Sequence, residues 1–145
     1  MNNIIHSIEN FFINNKIQFN KLESGKTYNF EVKVPEGNWV CRLVLRERTG
    51  ISIYSILPII VDQNKLSELA FYLMKLNNEI VIGNFELNNE TNEIKFKTYI
   101  DAELNSINER LIERNVLINN ATMQKYIKTI MQKSRRQKSA MFHFW

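Results

Sequence analysis

Lys133, Arg135, Arg136 and Lys138 place four cations in six residues, and Met141, Phe142, Phe144 and Trp145 follow them. Cations beside aromatic rings neutralise phosphates and stack on bases, so this end is a candidate nucleic-acid contact through Lys133, Arg135, Arg136, Lys138 and Trp145. The same residues suit an anionic membrane surface, at about 1 kcal/mol per cation. A solvated end is the plainer expectation, because termini usually go to water.

Other reactive side chains are sparse. His6 and His143 lie near opposite ends, with no HExxH, CxxC or His–carboxylate spacing around either, so no metal site is expected. Cys41 alternates with Trp39, Leu43 and Leu45, which predicts a buried, inert thiol; a nucleophile would need exposure and a nearby base. The four glycines fall at turns and form no GxGxxG, P-loop or GxSxG pattern, so no phosphate-cradling loop can be built from them. Neither a catalytic residue nor a cofactor is expected. Arg42, Arg46 and Arg48, with Lys33, can form a basic stripe on a sheet surface, which Glu31 and Glu47 on neighbouring strands are expected to balance.

The elements that position these groups follow from hydrophobic period. Ile4, Ile5, Ile8, Phe11 and Phe12 predict a helix over Asn3 to Asn14. From Thr27 the period becomes two: Tyr28, Phe30, Val32 and Val34 alternate with Asn29, Glu31 and Lys33. Pro35-Glu36-Gly37-Asn38 is a turn, and Trp39 to Leu45 a second strand with Arg42 and Arg46 on its other side. After Thr49-Gly50, Ile51 to Leu57 is a third strand, and Pro58 is expected to end the strand region. Asp62 is the expected N-cap of a helix carrying Leu66, Leu69, Ala70, Leu73 and Leu76. Strands over Ile80 to Leu87 and Glu93 to Ile100 then flank an Asn-rich hairpin link, the second with Lys95 and Lys97 opposite Ile94, Phe96 and Thr98. Leu104, Ile107 and Leu111 form a helical stripe, broken around Asn115. Met123, Tyr126, Ile127, Ile130 and Met131 then define an amphipathic helix. The expected order is α-β-β-β-α-β-β-α, an α+β domain with an antiparallel sheet packed against helices.

Composition supports one domain over residues 1–132, with 133–145 as a basic and aromatic tail. The chain has 145 residues, 44% apolar and 23% charged, enough for a single core. Its net charge of +4 is unevenly held: residues 1–113 carry all fifteen acids and twelve Lys/Arg, whereas 114–145 carry seven Lys/Arg and no acid. One cysteine excludes an intrachain disulfide and fits a cytoplasmic setting. Met1 to Asn15 lacks the pattern of a secretory signal, and no apolar run nears the ~20 residues that span a bilayer.

The stretch Tyr54-Ser55-Ile56-Leu57-Pro58, then Val61, Leu66, Leu69 and Asn77, then Gly83-Asn84-Phe85-Glu86-Leu87 and Ile94-Lys95-Phe96-Lys97-Thr98, resembles the YbjN-like family. Trp39 stands where that pattern has an aromatic at the start of the second strand. The resemblance covers roughly residues 28–101. It implies the type III secretion chaperone-like fold and a small domain, often paired, that acts as a regulatory or chaperone-like binding module. It brings no catalytic residue, and the tail from Lys133 has no counterpart in it. The function expected is a non-catalytic protein-binding module, with another protein or a second copy of itself as partner, as a homodimer. Nucleic-acid binding through the basic C-terminal helix and tail is the alternative.

Overall fold

Alternating apolar side chains build one sheet, and the helical stripes all pack on one side of it. The computed structural model describes residues 2–103 and 106–135. The chain runs through α1 (Asn2–Asn14), β1 (Asn20–Lys21), β2 (Thr27–Val34), β3 (Gly37–Arg46), β4 (Gly50–Ile60), α2 (Leu66–Glu79), β5 (Asn84–Leu87), β6 (Glu93–Asp101) and α3 (Glu109–Ser134). The strands form a single sheet in the order β1-β2-β3-β4-β6-β5, every neighbouring pair antiparallel. This is the expected α+β arrangement, with one further strand, β1, at the edge beside β2.

Period two sends one set of side chains beneath the helices. Tyr28, Phe30, Trp39, Cys41, Leu43, Leu45, Ile51, Ile53, Leu57, Ile94, Phe96 and Ile100 are all buried. Two apolar clusters result. Beneath α1 and the first turns of α3 lie Ile8, Phe11, Phe12, Tyr28, Phe30, Leu43, Ile112 and Val116. Beneath α2 and the far end of α3 lie Trp39, Leu69, Leu73, Phe85, Phe96, Met123 and Ile127.

Asn119 sits on α3 between these clusters. It is fully buried and takes a hydrogen bond on Oδ1 from Ser55 Oγ at 2.5 Å. Its Nδ2 donates to Ile53 O (2.9 Å), Phe96 O (3.2 Å) and Thr98 Oγ1 (3.1 Å). Buried amides need such partners, so this contact fixes α3 in register against β4 and β6. It also explains why the expected break around Asn115 does not occur. Ile112, Val116, Asn119, Met123, Ile127 and Ile130 form one continuous inward stripe, with a polar residue in its middle. Asn115 bonds back to Leu111 O within the helix, and Asn108 caps its start by accepting from Leu111 N. Ile107 precedes the helix instead of belonging to it.

Three further boundaries differ from expectation. Pro58 does not end the strand region but lies within β4. Pairing with β3 ends at Ile56, and pairing with β6 skips from Ile56 to Ile60, so the missing N–H breaks no ladder bond. Asp62 precedes a single 3₁₀ turn, Gln63–Lys65, and α2 begins only at Leu66. The strand expected from Ile80 starts at Asn84, because Gly83 turns the chain with φ of +85°, where a Cβ would lie 2.6 Å from Lys97 O. Asn77 on α2 then fixes β5, donating to Phe85 O at 3.1 Å and accepting from Phe85 N at 2.7 Å.

Candidate interaction surfaces

Cys41 is fully buried, and desolvation pushes its thiol pKa well above the ordinary range, so it is the inert thiol its strand position predicts. His6 is exposed on α1. Among the described residues no group of three or more His, Cys, Asp or Glu is placed to hold a metal ion. Of the cationic end, Lys133 lies in the last turn of α3, its Nζ 4.7 Å from the centre of the Tyr72 ring on α2, and Arg135 caps the helix. Arg136, Lys138 and Trp145 lie outside the described residues.

The side of the sheet away from the helices carries the other set of alternating residues. Asn29, Arg42, Tyr54, Lys97 and Asn84 are consecutive across β2, β3, β4, β6 and β5; Glu31, Val40, Ile56, Lys95 and Glu86 form the next row. Tyr54 is only 7% exposed on this open face because charged side chains lie over it. Lys95 Nζ and Lys97 Nζ stand 4.8 and 5.9 Å from its ring centre, and Arg46 donates to its hydroxyl at 2.9 Å. Arg46 also donates to Ser52 Oγ at 3.1 Å, and Arg42 to Asn29 Oδ1 at 2.8 Å.

Of the acids expected to balance the stripe, Glu31 does so only for Lys33, and Glu47 pairs outside it. Glu31 pairs with Lys33 at 3.8 Å, and Glu47 with Lys26. Among the described residues, Arg42, Arg46, Lys95 and Lys97 have no carboxylate within salt-bridge distance. The basic stripe therefore differs in membership from the one the sequence suggested: Lys95 and Lys97 join Arg42 and Arg46 around Tyr54, while Lys33 pairs with Glu31. Beside it a hollow of about 440 Å³ is lined by Asn29, Glu31, Asn38, Val40, Ile56 and Pro58, among others.

A second surface is apolar. The inner face of α2 buries Leu69, Leu73 and Leu76, while Phe71 and Met74 on its outer face are 60% and 68% exposed. Just past the helix, Val81 is 95% and Ile82 44% exposed. Sequence periodicity found the inner stripe. It missed the outer pair, whose signal is apolar residues at the wrong phase of the same helix.

No helix among the described residues is long and apolar enough to cross a membrane. No family model matches the chain, and no curated protein matches it.

Proposed function

We propose that this chain is a non-catalytic protein-binding module, chaperone-like or regulatory, that pairs with a second copy of itself through the outer face of α2. The observation that carries the reading is the exposure of Phe71 and Met74 on a helix whose inner stripe already fills the core, with Val81 and Ile82 following at its end. Apolar side chains grouped on a surface mark association sites, whereas isolated ones do not. The resemblance to the YbjN-like family over residues 28–101 favours the same reading, since its domains are often paired and work by binding. A cytoplasmic setting suits the single, reduced, buried Cys41.

Size-exclusion chromatography with light scattering tests this. The wild-type chain is expected to be a dimer, and the Phe71→Glu/Met74→Glu variant a monomer with an unchanged circular dichroism spectrum. A wild-type chain that stays monomeric at high concentration would remove the pairing.

A further inference from the structure

The open face of the sheet gathers cations around Tyr54, a pattern that the apolar surface of α2 does not explain. We infer that it binds single-stranded nucleic acid along β4, independently of any pairing through α2. The geometry is that of a track. Ser52, Tyr54, Ile56 and Pro58 form its floor on β4, spanning about 20 Å at ~3.4 Å per residue, room for a few nucleotides. Arg42 and Arg46 rise from β3 on one side, Lys95 and Lys97 from β6 on the other. At one end lies the hollow beside Val40, Ile56 and Pro58; at the other, Tyr99 pairs with Ser52 across the strands and keeps 44% of its surface exposed.

Each part matches one part of a nucleotide chain. Among the described residues the four cations have no carboxylate within salt-bridge distance, and Arg46, Lys95 and Lys97 converge on Tyr54, so they repel one another until an anion arrives. The hollow has apolar side chains for a base to lie on and the amides of Asn29 and Asn38 at its rim, and Tyr99 offers a ring for stacking. Glu31 also borders the hollow, with its charge already facing Lys33.

Charge placement selects the single strand over a duplex. The cations occupy the middle of the sheet, on β3 and β6, which are two strand spacings or ~10 Å apart. Glu31 and Glu86 stand at the ends of the same row, on β2 and β5, four spacings or ~19 Å apart. A single backbone threads between the acids. A duplex would bring its second line of phosphates onto them. An acidic peptide would satisfy the cations but leave the hollow and Tyr99 unused.

Fluorescence anisotropy of the full-length chain with a short labelled single-stranded oligonucleotide tests the inference. Three to four phosphate contacts predict that affinity falls roughly 20- to 50-fold between 50 and 200 mM salt. Arg42→Gln/Lys95→Gln/Lys97→Gln should weaken binding tenfold or more and flatten the salt dependence; Lys95→Arg/Lys97→Arg should restore it, which separates lost charge from lost fold. An abasic oligonucleotide of equal length should bind several-fold more weakly. The inference is overturned if the wild-type chain does not bind, or if the triple variant binds as well as wild type, in which case Arg136→Gln/Lys138→Gln would show whether the C-terminal end binds instead. It is equally overturned if polyglutamate or a duplex of equal charge competes as effectively as the single strand. Phe71→Glu/Met74→Glu should leave oligonucleotide binding unchanged, so failure of the pairing and failure of this inference read out separately.

Discussion

The two faces of this sheet are built by the same strands in the same register, yet they are organised oppositely. On the covered face the central polar junction is answered: Asn119 has partners on both ends of its amide, Ser55 and Thr98 among them, and among the described residues only Trp39 Nε1 is a buried side-chain polar atom without a hydrogen-bond partner. Across the sheet, cations accumulate with no carboxylate among the described residues within salt-bridge distance. Losing the partners of a buried amide costs the fold stability, because water cannot replace them there. Uncompensated charge on an open face is tolerated because water screens it, and it remains available to a ligand. The difference separates residues kept for folding from residues kept for binding.

The sharpest way to break that division is Asn119→Ala. It takes the Asn119 partner from Thr98 Oγ1, leaves Ser55 Oγ only Asn120 Oδ1 at 3.1 Å, and opens a void between the two apolar clusters, so denaturant unfolding should show a loss of about 2–4 kcal/mol. A loss below about 1 kcal/mol would mean that the polar junction does not hold α3 to the sheet. On the opposite face, Arg42→Gln/Lys95→Gln/Lys97→Gln should move stability by no more than about 0.5 kcal/mol per substitution, since lost contact with Tyr54 is offset by relieved repulsion. Large destabilisation there would make the cations structural and erase the contrast.

The smallest effect concerns the rim of the covered face, where α1 meets the sheet. Glu9 accepts from Lys21 Nζ at 2.9 Å and from Tyr28 Oη at 2.8 Å, and these bonds hold its carboxyl below the ordinary carboxylate range. A depressed pKa stabilises the fold above the unfolded carboxylate pKa and is lost as pH falls through the folded one. Thermal melts from neutral to acidic pH should therefore show wild type about 1–2 °C above Glu9→Gln near neutrality, the two converging in acid. A gap that persists or widens in acid would assign the effect to shape, not charge.

Much of the covered face was legible in the sequence, because burial imposes a period. Tyr28 to Val34, Trp39 to Leu45 and the Leu69-Leu73-Leu76 stripe each declare their inward side. What escaped was polar or non-local. Asn20 and Lys21, which pair with Asn29 and Tyr28, are both polar, so β1 has no apolar signature. Asn119 resembles a helix breaker until its four partners, brought from two strands, are seen. The two halves of the cationic track were each visible as outward residues, Arg42 and Arg46 in one stretch and Lys95 and Lys97 in another. Their convergence on Tyr54 depends on β6 pairing with β4, a crossover that no local pattern encodes. Glu31 and Glu47 looked like their counterions from strand adjacency, whereas nearer lysines hold both.

The division between a folding face and a binding face is tested most directly by backbone and side-chain NMR of the labelled chain titrated with a single-stranded oligonucleotide. The account predicts shifts concentrated at Arg42, Tyr54, Ile56, Lys95, Lys97 and Tyr99, with Ile8, Cys41, Phe96 and Asn119 undisturbed. Shifts confined to α3 and the C-terminal residues, with β3, β4 and β6 silent, would contradict it.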